Sequence, residues 1–475
     1  MQPSVKQIKM CSAKLTQAIS YLLFFVVLSL SFHLKAAEIN CAQVVTAIES
    51  NICKNDNLLQ LDKQLAATYT KLLMGKNLDK VTLQKTQKMW LLKRNTCPDL
   101  DCLIISYQDR LSELTSELRQ ANAYQPDRID KKALQQLKQA VEQHLTTDHE
   151  LALEKALSQF EIKTGMTTFT NVDSNDDLSI ATAPTKRPQG VRIDEWNAFV
   201  KSGIDAGGEN GHASYTLLDM NGDGKRDLIL DSYIGGTGLF NYVSVMQRQA
   251  DQFEGGYTCL QKPSCSEEVD SDSLYSLNGR GSNQAARWVK LQGRVYVAYR
   301  SSHYGVDQLT LLRPLVNNYK MPSLIVHYEY TLTAPKQQQS DGKGPVELNE
   351  KTFAALNQSL LKVNKRMSED FGQNSAKPLC PVPPNATEEE REGYFGFGPG
   401  HYSFEIVSNF PVWVEQTCYV AQLVNWFGAY DEKVGLRALL WMHVPNAQDG
   451  AIQEYQVAGK RKIISVEAGL ASISE

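Results

Sequence analysis

The stretch "CAQVVTAIESNIC", residues 41–53, sets an apolar stripe at helical spacing, Ala42, Val45, Ile48 and Ile52, between two cysteines. A helix rises about 1.5 Å per residue, so the ends of such a segment stand roughly 18 Å apart, whereas disulfide-bonded Cα atoms lie about 4.4 to 6.8 Å apart. Read as one helix, the segment forbids a Cys41–Cys53 bond and sends each cysteine to a distant partner.

The text that follows is also helical. "DNLLQLDKQLAATYTKLLMG" places Leu58, Leu61, Leu65, Tyr69 and Leu72 on one stripe and stops at Gly75. "DKVTLQKTQKMWLLKRNTC" aligns Leu83, Gln87, Trp90 and Arg94, and "CLIISYQDRLSELTSELRQ" aligns Leu103, Tyr107, Leu111, Leu114 and Leu118. Short breaks favour antiparallel neighbours, and a loop at 75–79 brings Cys53 and Cys97 to the same opposite end. The spacing therefore predicts Cys53 with Cys97 and leaves Cys41 for Cys102. A competing pattern joins Cys97 to Cys102 and bends the first helix.

Upstream, Lys6, Lys9 and Lys14 precede the apolar run "YLLFFVVLSLSF" at 21–32, and "HLKAAEIN" follows. A charged start, an apolar middle and a small-residue end read as a secretory signal over 1–37; the alternative is an uncleaved anchor. "EINC" lacks the small residue found before a lipid-modified cysteine. Past Cys11, the chain holds Cys41, Cys53, Cys97, Cys102, Cys259, Cys265, Cys380 and Cys418, an even set in local groups, which in an exported chain predicts disulfides. Local spacing pairs Cys259 with Cys265 and Cys380 with Cys418.

The chain carries 49 basic and 53 acidic residues, net −4; without Lys6, Lys9, Lys14 and Lys35 this becomes −8. A mildly acidic mature chain gives no reason to expect nucleic acid as a partner, and its length suits two or more domains. Membrane contact is expected only through the signal segment, if that segment is retained.

After Pro126, "IDKKALQQLKQAVEQHL" puts Leu134, Leu137, Val141 and Leu145 on one face, and "LALEKALSQF" adds Leu153, Leu157 and Phe160, so 121–170 reads as bridging helices. The polar, acidic, Pro-containing stretch 171–190 reads as a linker. Beyond it the period changes to two: "SYTLLDM", "DLILDSYI", "NYVSVMQ", "RVYVAYR", "DQLTLLRP", "SLIVHYEYTL", "HYSFEIV", "VWVEQTCYVAQLV" and "LLWMHV" read as strands bounded by Gly, Asn and Pro. A weak internal echo links "GKRDLILDSYIGGTGLFNYVSVMQR" with "GRVYVAYRSSHYGVDQLTLLRP", which suggests repeated hairpins. The fold class is thus α+β and multidomain: a disulfide-clamped helical bundle over 38–120, then a mainly antiparallel β domain over 191–475.

The most specific local signal in the β region is "DMNGDGKRD" at 219–227. Asp219, Asn221 and Asp223 supply oxygens at alternate positions, Gly224 permits a sharp turn, the Lys225 carbonyl adds a ligand and Asp227 closes the loop. Leu230 stands where an EF-hand needs a bidentate Glu, and strand-like flanks argue against one. The loop resembles the single D-x-[DN]-x-D-G-x-x-D hairpin loops of integrin-type and VCBS-like extracellular β-repeats, which implies structural calcium stapling two strands. The alternative is a metal-free, Asx-rich hairpin.

Nothing else in the chain carries a motif of comparable specificity. His303 lies beside Ser301 and Ser302, while His212, His401 and His443 are scattered, and no G-x-S-x-G accompanies them. "GGTG" at 235–238 and "GFGPGH" at 396–401 lack the strand, Lys and helix of a phosphate loop. "SEEVDSD" and "TEEERE" read as solvated loops. The expectation is a non-enzyme with no catalytic residues.

From 38 to 118 the chain resembles the LprI lysozyme-inhibitor family, a small exported helical domain. The resemblance rests on Cys41, Glu49, Ile52 with Cys53, Leu58, Leu61 with Asp62, Leu65, Tyr69, Gln87, Trp90, Arg94, Cys97, Cys102, Tyr107, Arg110 and Leu114. It implies a periplasmic or extracellular envelope protein that binds and inhibits lysozyme. Tyr69, Trp90 and Tyr107 fall on the apolar stripes and read as core, and Glu49, Asp62, Arg94 and Arg110 read as internal ion-pair partners. Residues 38–120 hold eleven basic and ten acidic side chains, so electrostatic steering toward a basic enzyme is not built in. The competing expectation is a binding module in which the β domain recognises an envelope glycan or protein.

Overall fold

The computed structural model describes residues 39–75, 79–170, 184–204, 213–236, 238–255, 273–279, 283–338, 344–363, 377–396, 405–446 and 451–472. The signal segment, most of the 171–190 linker, Cys259 with Cys265, His212, His401 and "SEEVDSD" lie outside these residues. The chain divides into two compact units, one ending at Ala123 and the other starting at Tyr124. The α+β reading holds: a helical, disulfide-bonded first unit and a second unit built on antiparallel sheet.

The first unit consists of α1 (Ala47–Lys54), α2 (Asp56–Met74), α3 (Lys80–Arg94) and α4 (Leu100–Ala121). Each begins at a side-chain cap that satisfies otherwise orphaned backbone N–H groups: Thr46, Asn55, Asp79 and Asp99. Ile52, Leu58, Leu65, Tyr69, Leu72, Leu83, Leu103, Tyr107 and Leu114 form the core. The expected stripes are therefore the ones that pack.

The disulfide pairing is not the one the spacing predicts. Cys41 bonds Cys53 and Cys97 bonds Cys102, with Cα atoms 5.6 and 5.5 Å apart. The reason is local: Thr46 and Glu49 form a capping box, each side chain accepting the other's backbone N–H, so the helix starts at Ala47. Cys41 therefore lies on a non-helical turn that folds back to Cys53. Closing a loop of this size stabilises the fold by about 3 kcal/mol in the chain-entropy account.

In the second unit α5 (Arg128–Leu145) and α6 (Ala152–Phe160) precede the first strand. These helices do not bridge two domains. Ala133, Leu137, Val141, Leu153, Ala156 and Leu157 are buried in the main core of the second unit. A strand, β1 (Thr167–Thr170), and a helix, α7 (Ile193–Ser202), flank the expected linker.

Then come β2 (Ala213–Leu218), β3 (Asp227–Gly235), β4 (Phe240–Gln249), β5 (Gln252–Glu254) and β6 (Tyr275–Asn278), which with β1 make an antiparallel sheet ordered β1-β2-β3-β4-β5, with β6 also paired to β4. α7 covers this sheet through Phe199, which meets Phe169 and Tyr215 edge-on.

The larger sheet uses β7 (Gln284–Leu291), β8 (Arg294–His303), β9 (Val306–Leu312) and β10 (Lys320–Thr333). The two-residue pair β11 (Gln337–Gln338) and β12 (Val346–Glu347), α8 (Glu350–Leu360) and α9 (Glu388–Glu392) follow it in the chain. The sheet is completed by β13 (Glu405–Val414), β14 (Thr417–Asp431), β15 (Gly435–His443) and β16 (Gln453–Ser472). The order is β13-β14-β15-β16-β10-β9-β8-β7, antiparallel throughout.

This sheet curls into a half-barrel around α5, α6 and α8. Where its ends approach, Glu405 at the start of β13 accepts the backbone N–H of Tyr304 just past β8. Cys380–Cys418 forms as expected and ties the 377–396 segment to β14. The echo noted in sequence is realised as two hairpins, β3–β4 and β8–β9, in different sheets.

Charged groups sit inside the half-barrel. Glu154 of α6 accepts from Arg461 Nη2 at 2.6 Å and Arg300 Nη1 at 2.8 Å, and Asp307 lies 3.6 Å from Arg300 and accepts from Tyr328 Oη at 2.8 Å. Arg461 is sandwiched between Tyr328 and Tyr430, 4.4 and 4.2 Å from their ring centroids. A second buried carboxylate, Asp130, fixes the start of α5 by accepting from Tyr124 Oη, Tyr296 Oη and Arg294 Nη1.

Removing one member of a buried ionic cluster strands the others. Arg461→Ala should therefore lower the stability of the second unit by about 3 to 5 kcal/mol, read as the loss of its transition in calorimetry of the full mature chain. A change below about 1 kcal/mol would mean that water replaces the guanidinium without cost.

Candidate functional site

In the first unit Asp62, Tyr69, Gln87, Arg94, Tyr107 and Arg110 turn inward. Tyr107 donates to Asp62 Oδ1 at 2.8 Å, and Arg94 Nη1 donates to the same phenol oxygen at 2.9 Å. Asp62 Oδ2 accepts the Ile39 N–H. Trp90 meets Tyr107 edge-on at 5.1 Å and donates to the Ser106 carbonyl. Burial, the largest influence, raises the Tyr107 pKa far above that of a free phenol, so it stays a donor at any physiological pH.

Arg110 donates to Gln87 Oε1, Thr86 Oγ1 and Glu113, and Glu49 caps α1. Thus Arg110 has an ion-pair partner, Asp62 is held by a phenol and a backbone N–H, and Glu49 is engaged by backbone. The Asp62, Arg94, Tyr107 and Arg110 contacts set the packing of α2, α3 and α4. The surface is different: Val45, Val81, Met89, Leu92, Leu100 and Ile105 are exposed. Met89 and Leu92 stand on the α3 face turned away from the stripe of Leu83, Gln87 and Arg94.

The 219–227 loop connects β2 to β3 as the hairpin reading expects. Its oxygens serve its own backbone. Asp219 accepts from Gly222 and Gly224 N–H, Asn221 from Asp223, and Asp223 from Lys225. Gly222 and Gly224 both have φ of +81°, which glycine adopts without strain.

Asp227 is fully buried and accepts the N–H groups of Met220 and Arg248 at 3.0 and 2.9 Å, joining the hairpin to β4. Its pKa is raised, by burial first and against those two hydrogen bonds. Among the described residues no three His, Cys, Asp or Glu side chains converge as metal ligands. Asp227 is thus drawn onto backbone donors, leaving Asp219, Asn221, Asp223 and the Lys225 carbonyl on the exposed loop.

Sequence reasoning passed over Arg226. It pairs with the buried Glu195 of α7 at 2.6 Å and donates to Thr167 Oγ1 at 2.6 Å, locking the loop, β1 and α7 together. The signal was an Arg beside the loop's last Asp, with "IDEW" thirty residues upstream; only the fold brings them together.

Among the described histidines, His303 Nδ1 lies 3.1 Å from Glu405 Oε2, and His327 Nε2 lies 3.8 Å from Glu467. Ser302 is buried beside it and donates its backbone N–H to the Asn283 carbonyl. His443 is kept below its ordinary pKa by burial. No protein-family profile, curated protein or solved structure matches the chain.

Glu405, with a lesser contribution from Asp307, raises the His303 pKa above its ordinary 6.5. The charged imidazole consequently stabilises the fold fully below the unfolded value, and that contribution disappears as pH rises through the higher folded value. The melting temperature should fall more steeply between about pH 6 and about pH 8 for the wild type than for His303→Gln. Parallel profiles would remove the contact from the fold's stability.

Proposed function

We propose that the chain is an exported envelope protein whose first unit inhibits lysozyme by protein–protein contact. The disulfides put the chain in an oxidising compartment outside the cytoplasm. The observation that carries the proposal is the division of labour in the first unit. The residues shared with the lysozyme-inhibitor family build a clamped interior, while large apolar side chains, Met89 at 60% and Leu92 at 56% exposure among them, stay uncovered on α3. Apolar groups on a rigid surface bind a partner with little ordering cost.

Because this unit has nearly balanced charge, the contact depends on shape and apolar burial more than on long-range attraction. The purified mature chain should slow lysozyme on cell walls almost equally at low and physiological salt. The double variant Met89→Asp, Leu92→Asp should lose at least tenfold in potency with an unchanged melting temperature, since both side chains are exposed. Wild-type protein that leaves lysozyme untouched at any stoichiometric excess overturns the reading and favours an envelope-binding module.

The 219–227 loop supports a second, structural proposal: Asp219, Asn221, Asp223 and the Lys225 carbonyl hold calcium at the β2–β3 turn. About 1 mM calcium should then raise the melting temperature of the second unit, and Asp219→Ala with Asp223→Ala should abolish the rise. Asp227→Ala is expected to destabilise even without calcium, by about 1 to 3 kcal/mol, because two buried N–H groups lose their acceptor. A calcium shift that persists in the double variant would place the ion elsewhere.

A further inference from the structure

α3 turns Leu83, Gln87 and Arg94 into the first unit. A helix that packs by one stripe normally leaves its opposite side polar. The opposite side of α3 departs from this. Val81, Lys85, Lys88 and Leu92 recur at i, i+4, i+7 and i+11, so they stand on one line facing solvent, with Met89 beside them. Val81 is 76% exposed, Met89 60% and Leu92 56%, so three large apolar groups lie outside the core.

The charge on this helix has one sign. Lys80, Lys85, Lys88 and Lys93 are all exposed, and α3 contains no Asp or Glu. Among the described residues none of these four lysines makes an ion pair or a side-chain hydrogen bond. Asp79, just before the helix, is engaged by the Val81 and Thr82 N–H groups and the Thr82 hydroxyl. Four cations thus stand along about 20 Å of helix, although the unit as a whole is nearly neutral. The acids that balance it lie on other segments.

Unpaired cations beside exposed apolar groups call for a partner that supplies both negative charge and an apolar interior. Along the Val81–Leu92 line the two kinds of side chain alternate within a turn, which a folded acidic protein could match only with a groove of the same order. A fluid anionic bilayer needs no such match. Its phosphates meet the ammonium groups, the lysine stems lie along apolar surface with their heads in the headgroup layer, and Val81, Met89 and Leu92 enter the acyl boundary. We propose that the exposed face of α3 docks the first unit onto an anionic lipid bilayer. No helix among the described residues is long and apolar enough to cross a membrane, so this contact is peripheral. The proposal goes beyond lysozyme inhibition and does not rest on it: both use Met89 and Leu92, but the lysines belong to the lipid contact alone.

The test is co-sedimentation of the full mature chain, without the apolar signal segment and without lysozyme, with vesicles of phosphatidylcholine alone or containing about one third phosphatidylglycerol. The anionic vesicles should bind at least tenfold more tightly, and raising salt from about 0.1 M to about 1 M should remove most of that difference. Lys85→Glu with Lys88→Glu should weaken anionic binding at least tenfold. Lys131→Glu with Lys132→Glu, an equal change in net charge at exposed positions of α5, should leave it within about twofold. Met89→Ser with Leu92→Ser, which keeps every charge, should weaken it about fivefold. Equal binding to neutral and anionic vesicles, equal losses in the two charge-reversal variants, or no vesicle binding overturns the proposal; the last result would turn the stripe toward an acidic protein.

Discussion

The pairing of Glu154 with Arg461 and Arg300 is the interaction around which the second unit is arranged. A half-barrel needs its concave face filled, and α5 and α6 fill it with Leu137, Val141, Leu153 and Leu157. Apolar contact is non-directional, so it fixes depth more readily than register. The ion cluster supplies register, because a carboxylate on α6 must meet one guanidinium from β8 and one from β16 together. Arg461 also donates to the Glu150 carbonyl and lies between the rings of Tyr328 and Tyr430, so β10, β14, β16 and α6 share a single position. Such a cluster has a large desolvation cost, which hydrogen bonds and the neighbouring ring faces offset.

The first unit solves the same problem on a smaller scale. Three helices of modest apolar content are indexed by Asp62, Tyr107 and Arg94, one polar residue from each of α2, α4 and α3. Residues that hold one another in place build an interior, and an interior names a scaffold. On the proposed reading a partner would meet the exposed face of α3, where Met89 and Leu92 stand, and not Tyr107, which is buried.

The helices and most strands were legible because their burial is periodic, and β16 shows where legibility ends. Its inward positions include Val457, Gly459, Arg461 and Ile463, so the alternation that marks a strand is broken by a glycine and an arginine. Both are there for packing reasons that only the fold reveals. A Cβ at Gly459 would lie 2.9 Å from Leu332 Cδ2. Arg461 meets its carboxylates 154 and 307 residues back along the chain.

The favoured pairing of the first four cysteines, Cys53 with Cys97 and Cys41 with Cys102, failed for a different reason, and the competing Cys97–Cys102 bond is the one that forms. The apolar stripe through Ala42 and Val45 looked helical, yet Thr46 and Glu49 form a stronger local signal, and the capping box overrode the stripe. α5 and α6 were recognised as helices, while the surface that covers them lies far away in sequence. The 219–227 loop was legible as a hairpin turn, but nothing in its spacing says that Asp227 turns inward to Met220 and Arg248.

Glu154 illustrates how a carboxylate keeps its charge inside a core. Its two oxygens are chemically equivalent, but the fold distinguishes them: Oε1 accepts from two guanidinium groups, while Oε2 is closed off from solvent and accepts from no other side chain among the described residues. The arginines lower the carboxyl's proton affinity, so the second oxygen keeps its negative charge even though burial alone would favour protonation. A structural ion cluster thereby supports an acceptor that a carboxylate in apolar surroundings would not maintain near neutral pH.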